Sequence, residues 1–144
     1  MTTTVAIRAK FALLMAVVLA VATGALLAQS DDKPAIEPAL AAGLLAQYDI
    51  AVIDVRSAEE IAETGVVGNA ATIVHTDTDA LAEFLGPPPG RAAILYCRSG
   101  RRAGVAIDTL EALGYDSLIN AGGHADLSAA VAARAHPNPN PEDS

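Results

Sequence analysis

The chain has 144 residues, enough for one domain with a modest core, and its 9 basic and 17 acidic residues give a net charge of −8. That balance argues against a nucleic-acid binder working through a basic face, and a single cysteine excludes both an internal disulfide framework and a Cys-x-x-Cys redox pair.

At the N-terminus, Arg8 and Lys10 precede an uncharged run from Phe11 to Ala28. A basic start, an apolar stretch and small residues near its end have the layout of an export signal over residues 1–28, with Gly24, Ala25 or Ala28 at the cut. The run is also long enough to remain as one membrane span, so an uncleaved anchor is the competing reading. Membrane contact is expected only in that second case. Either way the rest of the chain faces the far side of the membrane, in a bacterium the periplasm. Losing Arg8 and Lys10 leaves seven basic residues, three of them at positions 98, 101 and 102.

Residues 29–38 are polar, with Asp31, Asp32, Pro34 and Pro38, and read as a linker with room for a short strand at Ala35-Ile36. The folded domain is expected over 39–135. Leu40, Leu44 and Leu45 mark a brief amphipathic helix closing near Gln47, and Ile50 to Ile53 is a buried strand running out at Asp54-Val55-Arg56. Ser57 caps the next helix, with Glu60 three residues on as its capping-box partner. Gly65 and Gly68 break that helix, and Thr72-Ile73-Val74 is a second strand. A helix starting at Asp77 or Thr78 uses Leu81, Phe84 and Leu85 and stops at Gly86-Pro87-Pro88-Pro89-Gly90.

Ala92 to Tyr96 is a third buried strand, followed by a helix whose apolar positions are Ala103, Ala106, Ile107, Leu110 and Leu113, with Gly114 closing it. Ser117 to Asn120 is a fourth strand. Gly122-Gly123 then turns the chain into an alanine-rich helix ending at Ala135, and 136–144 is a proline- and asparagine-rich tail expected to be disordered. Strands alternating with helices define an α/β fold: a mostly parallel central sheet with helices on both faces.

The lone cysteine falls between a strand end and a helix start, in Cys97-Arg98-Ser99-Gly100-Arg101-Arg102. Helix-start amides lack intrahelical partners and carry the positive end of the dipole, so a loop curling into them makes an anion-binding nest. A thiol held there beside three arginines ionises more readily than a free cysteine. The alternative is an inert buried cysteine, against which the three arginines weigh. Arg56 lies beyond a neighbouring strand end, so it either flanks the same pocket or pairs with Asp54, Glu59 or Glu60. His75, His124 and His136 show no metal-ligand spacing, so no metal is expected; His124 either lines the pocket through the glycine turn or, the favoured reading, sits at the surface.

Three segments together resemble the rhodanese-like domain family over about Leu40 to Ala130: Ile53-Asp54-Val55-Arg56-Ser57-Ala58-Glu59-Glu60, the Cys97–Arg102 loop, and Gly122-Gly123. The resemblance implies a three-layer α/β sandwich and, for an exported single-domain form, similarity to periplasmic thiosulfate sulfurtransferases. It also implies Cys97 as nucleophile and persulfide carrier, with Arg98, Ser99, Gly100, Arg101, Arg102 and Arg56 as substrate-binding residues. No cofactor is implied. The partners would be a small anionic sulfur donor and a thiophilic acceptor such as cyanide or a thiol. Arg101 or Arg102 would attract the donor, and Arg98 would either join them or fold back onto Asp54. Departures are His124, where the family usually has a hydrophobic or aromatic residue, and Thr64-Gly65 and Gly68-Asn69, where it often has Gly-His and Gly-Ala.

Two rival functions share these residues. Tyrosine-phosphatase-type loops place an arginine six residues after the cysteine, but here that position is Ala103, so a phosphatase or arsenate reductase fits less well. A non-catalytic persulfide carrier or binding module needs the same loop as the enzyme.

Overall fold

The computed structural model describes residues 33–136. The expected signal segment, the first four residues of the linker and the tail beyond His136 lie outside these residues. Within them four strands alternate with five helices: α1 (Pro38–Gln47), β1 (Ala51–Asp54), α2 (Ala58–Thr64), β2 (Ala71–Thr72), α3 (Thr78–Leu85), β3 (Ala93–Cys97), α4 (Arg101–Ala112), β4 (Leu118–Gly123) and α5 (His124–Ala135). All strand pairings are parallel, in the order β2-β1-β3-β4.

Central β3, Ala-Ile-Leu-Tyr-Cys, is buried throughout because both faces of the sheet are covered. Alternation along the strand sends side chains to opposite layers. Ala93, Leu95 and Cys97 pack with Leu81 and Leu85 of α3 and Ala103, Ala106, Ile107 and Leu110 of α4. Ile94 and Tyr96 pack on the other side with Ala41 of α1, Leu127 of α5 and Val67. The result is the expected three-layer α/β sandwich.

Several element ends differ from the sequence reading. Ala35-Ile36 forms no strand, although the Ile36 N–H donates to the Asn120 carbonyl at 2.9 Å. Leu40 is exposed, and α1 buries the smaller Ala41 and Ala42 instead. β2 covers only Ala71–Thr72, since the chain turns after Ile73 towards the Asp77 cap of α3. Leu113 is also exposed, because α4 ends before it and Gly114 takes the left-handed turn at φ +100°. β4 runs on through Gly122 and Gly123, which were read as a turn, and Cys97 is the last residue of its strand rather than part of the loop.

Candidate active site

Cys97 ends β3 and α4 begins at Arg101, so only Arg98, Ser99 and Gly100 separate the thiol from the helix. Gly100 is the N-cap, at φ +92°, in the left-handed region that glycine enters without a side-chain clash. No side chain caps this helix, so its first amides remain available. They face the sulfur: the Gly100 N–H donates to Cys97 Sγ at 3.1 Å. Burial pushes the Cys97 thiol up, but hydrogen bonds from the amides of Ala103, Ser99, Gly100 and Arg102 outweigh it, leaving the group below the ordinary thiol value. The arrangement is a nest for a thiolate.

The loop is held from beneath by β4. Buried Asn120 donates through Nδ2 to the Gly100 carbonyl at 2.9 Å and the Lys33 carbonyl at 2.7 Å, and its Oδ1 accepts from the Gly122 N–H at 3.0 Å. A Cβ on Gly100 would stand 2.9 Å from the Gly122 Cα, and one on Gly123 would stand 2.7 Å from the Arg98 carbonyl oxygen. The glycine pair therefore lets the cysteine loop lie directly on a strand. Asn120 was missed as a site residue because its partners are distant in sequence; a buried polar residue in an apolar strand is the one local signal.

The arginines do not gather around the sulfur as a set. Arg102 donates from both terminal nitrogens to Glu60, at 2.7 Å each. That pairing raises the guanidinium's affinity for its proton, and the nearby Cys97 sulfur adds to the effect. Hydrogen bonds from Arg102, then from the Ser57 backbone, lower the Glu60 carboxyl to about 2. Arg98, Ser99 and Arg101 are exposed, and neither of these arginines forms an ion pair among the described residues. Ser99 reaches the thiol through its amide.

Arg56 turns inward to Asp54. Its Nε donates to both carboxylate oxygens at 2.9 and 3.1 Å, and Nη2 donates to Asp54 Oδ2 and the Gly65 carbonyl, each at 2.6 Å. Nη1 donates to Thr64 Oγ1 at 2.7 Å. The Asp54 hydrogen bonds raise the Arg56 pKa against the opposing effect of burial. Asp54 is thus taken by Arg56, not by Arg98.

A pocket of about 350 Å³ lies beside the loop, lined by Arg56, Glu60, Glu63, Thr64, Arg98 and His124, with Ala125. His124 is a wall of this pocket, the less favoured of its two readings from sequence. Its ring centroid is 6.0 Å from that of Tyr96, over which Arg56 also sits at 5.8 Å. Cys97 has no exposed surface of its own. A larger cavity of about 510 Å³ lies at the opposite rim of the sheet, where Ala51 and Ala92 stand at or next to strand starts, away from the thiol.

A parallel α/β sandwich with a thiolate nest after its central strand defines a class of cysteine-loop domains. Within it, the family model for the rhodanese-like domain matches residues 37–130, and the chain belongs to that family. Solved structures agree in fold. The rhodanese-like domain of an Anabaena sp. protein has a TM-score of 0.58 at 16% identity, covering 78% of this chain and 89% of that one. A rhodanese-like domain protein from Staphylococcus aureus has a TM-score of 0.52 at 27% identity, covering 61% and 83%. A Rhodopseudomonas palustris protein, described as of unknown function and a possible tyrosine phosphatase, has a TM-score of 0.56 at 19% identity, covering 67% and 80%. No curated protein matches the chain in sequence.

Proposed function

We propose that this domain is a thiosulfate sulfurtransferase of the exported type, moving sulfane sulfur through a persulfide on Cys97. The carrying observation is the ring of amides around the thiol, with the Gly100 N–H 3.1 Å from Sγ. In the first step the Cys97 thiolate attacks the outer sulfur of thiosulfate. A Sγ–S bond forms, the S–S bond of thiosulfate breaks, and its electron pair leaves with sulfite. In the second, cyanide or a thiolate attacks the outer sulfur, the Sγ–S bond breaks, and Cys97 leaves as the thiolate that the amides stabilise. Preorganised donors act on the charge in both steps without reorganising.

Full burial of Cys97 favours a slender inorganic donor over a bulky ester. Arg98 at the pocket wall and exposed Arg101 supply attraction for an anion, while Arg102 stays paired with Glu60 beside the sulfur. The possible phosphatase description of the Rhodopseudomonas palustris protein supplies a second class of chemistry. The loop argues against it, since the position six residues after Cys97 is Ala103 and Arg102 is bound to a carboxylate.

The test is turnover. Thiosulfate and cyanide should yield thiocyanate with parallel double-reciprocal lines, and Cys97→Ser should abolish it. Sulfur loading without turnover would leave a carrier, and hydrolysis of a phosphate ester in its place would move the phosphatase reading ahead. Periplasmic location is part of the proposal, supported by the uncharged Phe11–Ala28 run behind Arg8 and Lys10. Cell fractionation with N-terminal sequencing of the mature protein tests it, and an intact N-terminus in the cytoplasm would refute it.

A further inference from the structure

We infer that His124 is the base that removes the proton when the sulfur acceptor is a thiol. The inference rests on the sulfurtransferase reading and adds a base to its second step. Cys97 and Gly123 are register partners across β3 and β4, so His124, the next residue, opens α5 beside the strand end that carries the sulfur. It lines the same pocket as Arg98, the residue that follows Cys97.

The groups around this imidazole come from every neighbouring element. Asp54 and Arg56 follow from the end of β1, Tyr96 lies in β3, Glu60 and Glu63 belong to α2, and Arg98 belongs to the cysteine loop. Burial lowers the His124 pKa most, Arg56 lowers it further, and Asp54 opposes them. Its net position is below the ordinary histidine value, so the ring is neutral at pH 7 and has a lone pair to offer. An acceptor thiol with a pKa of about 8.5 is mostly protonated there and needs such a group.

The step balances. The acceptor S–H proton passes to the imidazole and a bond forms between the acceptor sulfur and the outer sulfur of the Cys97 persulfide. The Sγ–S bond breaks with its electrons on Sγ, the acceptor leaves as a persulfide, and the imidazolium returns its proton to water.

The experiment loads Cys97 with thiosulfate, removes the excess, and follows discharge by intact mass with free cysteine or with sulfite, in wild type and His124→Gln. Sulfite has no S–H to remove. At pH 7 the variant should discharge to cysteine roughly thirtyfold more slowly, since only about 3% of a thiol with pKa 8.5 is ionised there. Its rate should climb tenfold per pH unit towards that of wild type, added imidazole should restore it, and discharge to sulfite should slow far less. Equal slowing with both acceptors would reduce His124 to a structural role and overturn the inference, as would no slowing with either. If thiosulfate does not load Cys97, the donor reading fails separately. The same comparison then runs on protein loaded with inorganic polysulfide.

Discussion

The Glu60 carboxylate accepts from both terminal nitrogens of Arg102, 42 positions further along the chain, while its Oε2 also accepts from the Ser57 N–H at 3.1 Å. One side chain therefore completes the capping box of α2 and fixes the first turn of α4, where the amides meet Cys97. The helix after β1 is in this way tied to the geometry of the thiol.

Glu60→Gln should lower stability by about 1 kcal/mol at neutral pH, the scale of a partly exposed bidentate pair. The folded carboxyl lies at about 2 against an ordinary 4.5, so its contribution is complete above pH 4.5 and disappears as pH falls through about 2. Thermal unfolding of both proteins should show a Tm gap that is constant from pH 5 to 8 and closes towards pH 2. A gap independent of pH would contradict the ion pair.

Alkylation of Cys97 by iodoacetamide, followed against pH, should have its midpoint below the free-thiol value of about 8.5. The cause is the amide ring, which outweighs the effect of burial. Because Cys97 has no exposed surface, a bulky maleimide should react more slowly than the small reagent. A midpoint at or above about 8.5 would mean that burial wins.

Asn120→Ala would leave the Gly100 and Lys33 carbonyls and the Gly122 N–H without their side-chain partner. The expected cost is roughly 1–3 kcal/mol in denaturant unfolding, together with slower alkylation of Cys97 as the loop loosens. Lost stability with unchanged thiol reactivity would show that the strand alone, and not the loop, depends on Asn120.

Gly123→Ala tests the seat of the loop. The φ of −93° suits any residue, so the demand is for space: the new Cβ would meet the Arg98 carbonyl oxygen at 2.7 Å, and backbone has to move. Destabilisation of about 1–3 kcal/mol is expected, with sulfur transfer reduced more than tenfold. A variant of normal stability and activity would show that the loop can rise off β4 at no cost.

Local signals carried most of the fold and part of the site. The Ser57–Glu60 capping box, the buried run of β3 and the stripe Ala103, Ala106, Ile107, Leu110 each depend on residues a few positions apart, and each is present. The second partner of Glu60 was not legible, because nothing near position 60 reports that α2 and α4 begin side by side. Arg56 had several carboxylates in reach by sequence, and burial with Asp54 selected one. Gly122-Gly123 looked like a turn because glycine pairs commonly make turns, whereas here they are the smooth end of a strand under a loop. For the same reason the sequence favours the surface over the pocket for His124: a residue after a turn commonly faces water, but β4 continues to Gly123 and His124 lines the pocket.

The most direct test of the central claim is the intact mass of the purified protein after thiosulfate and then after cyanide. Transfer through Cys97 predicts a gain of about 32 Da, absent in Cys97→Ser and removed by cyanide. A mass that never moves, in protein whose Cys97 alkylates readily, would contradict it.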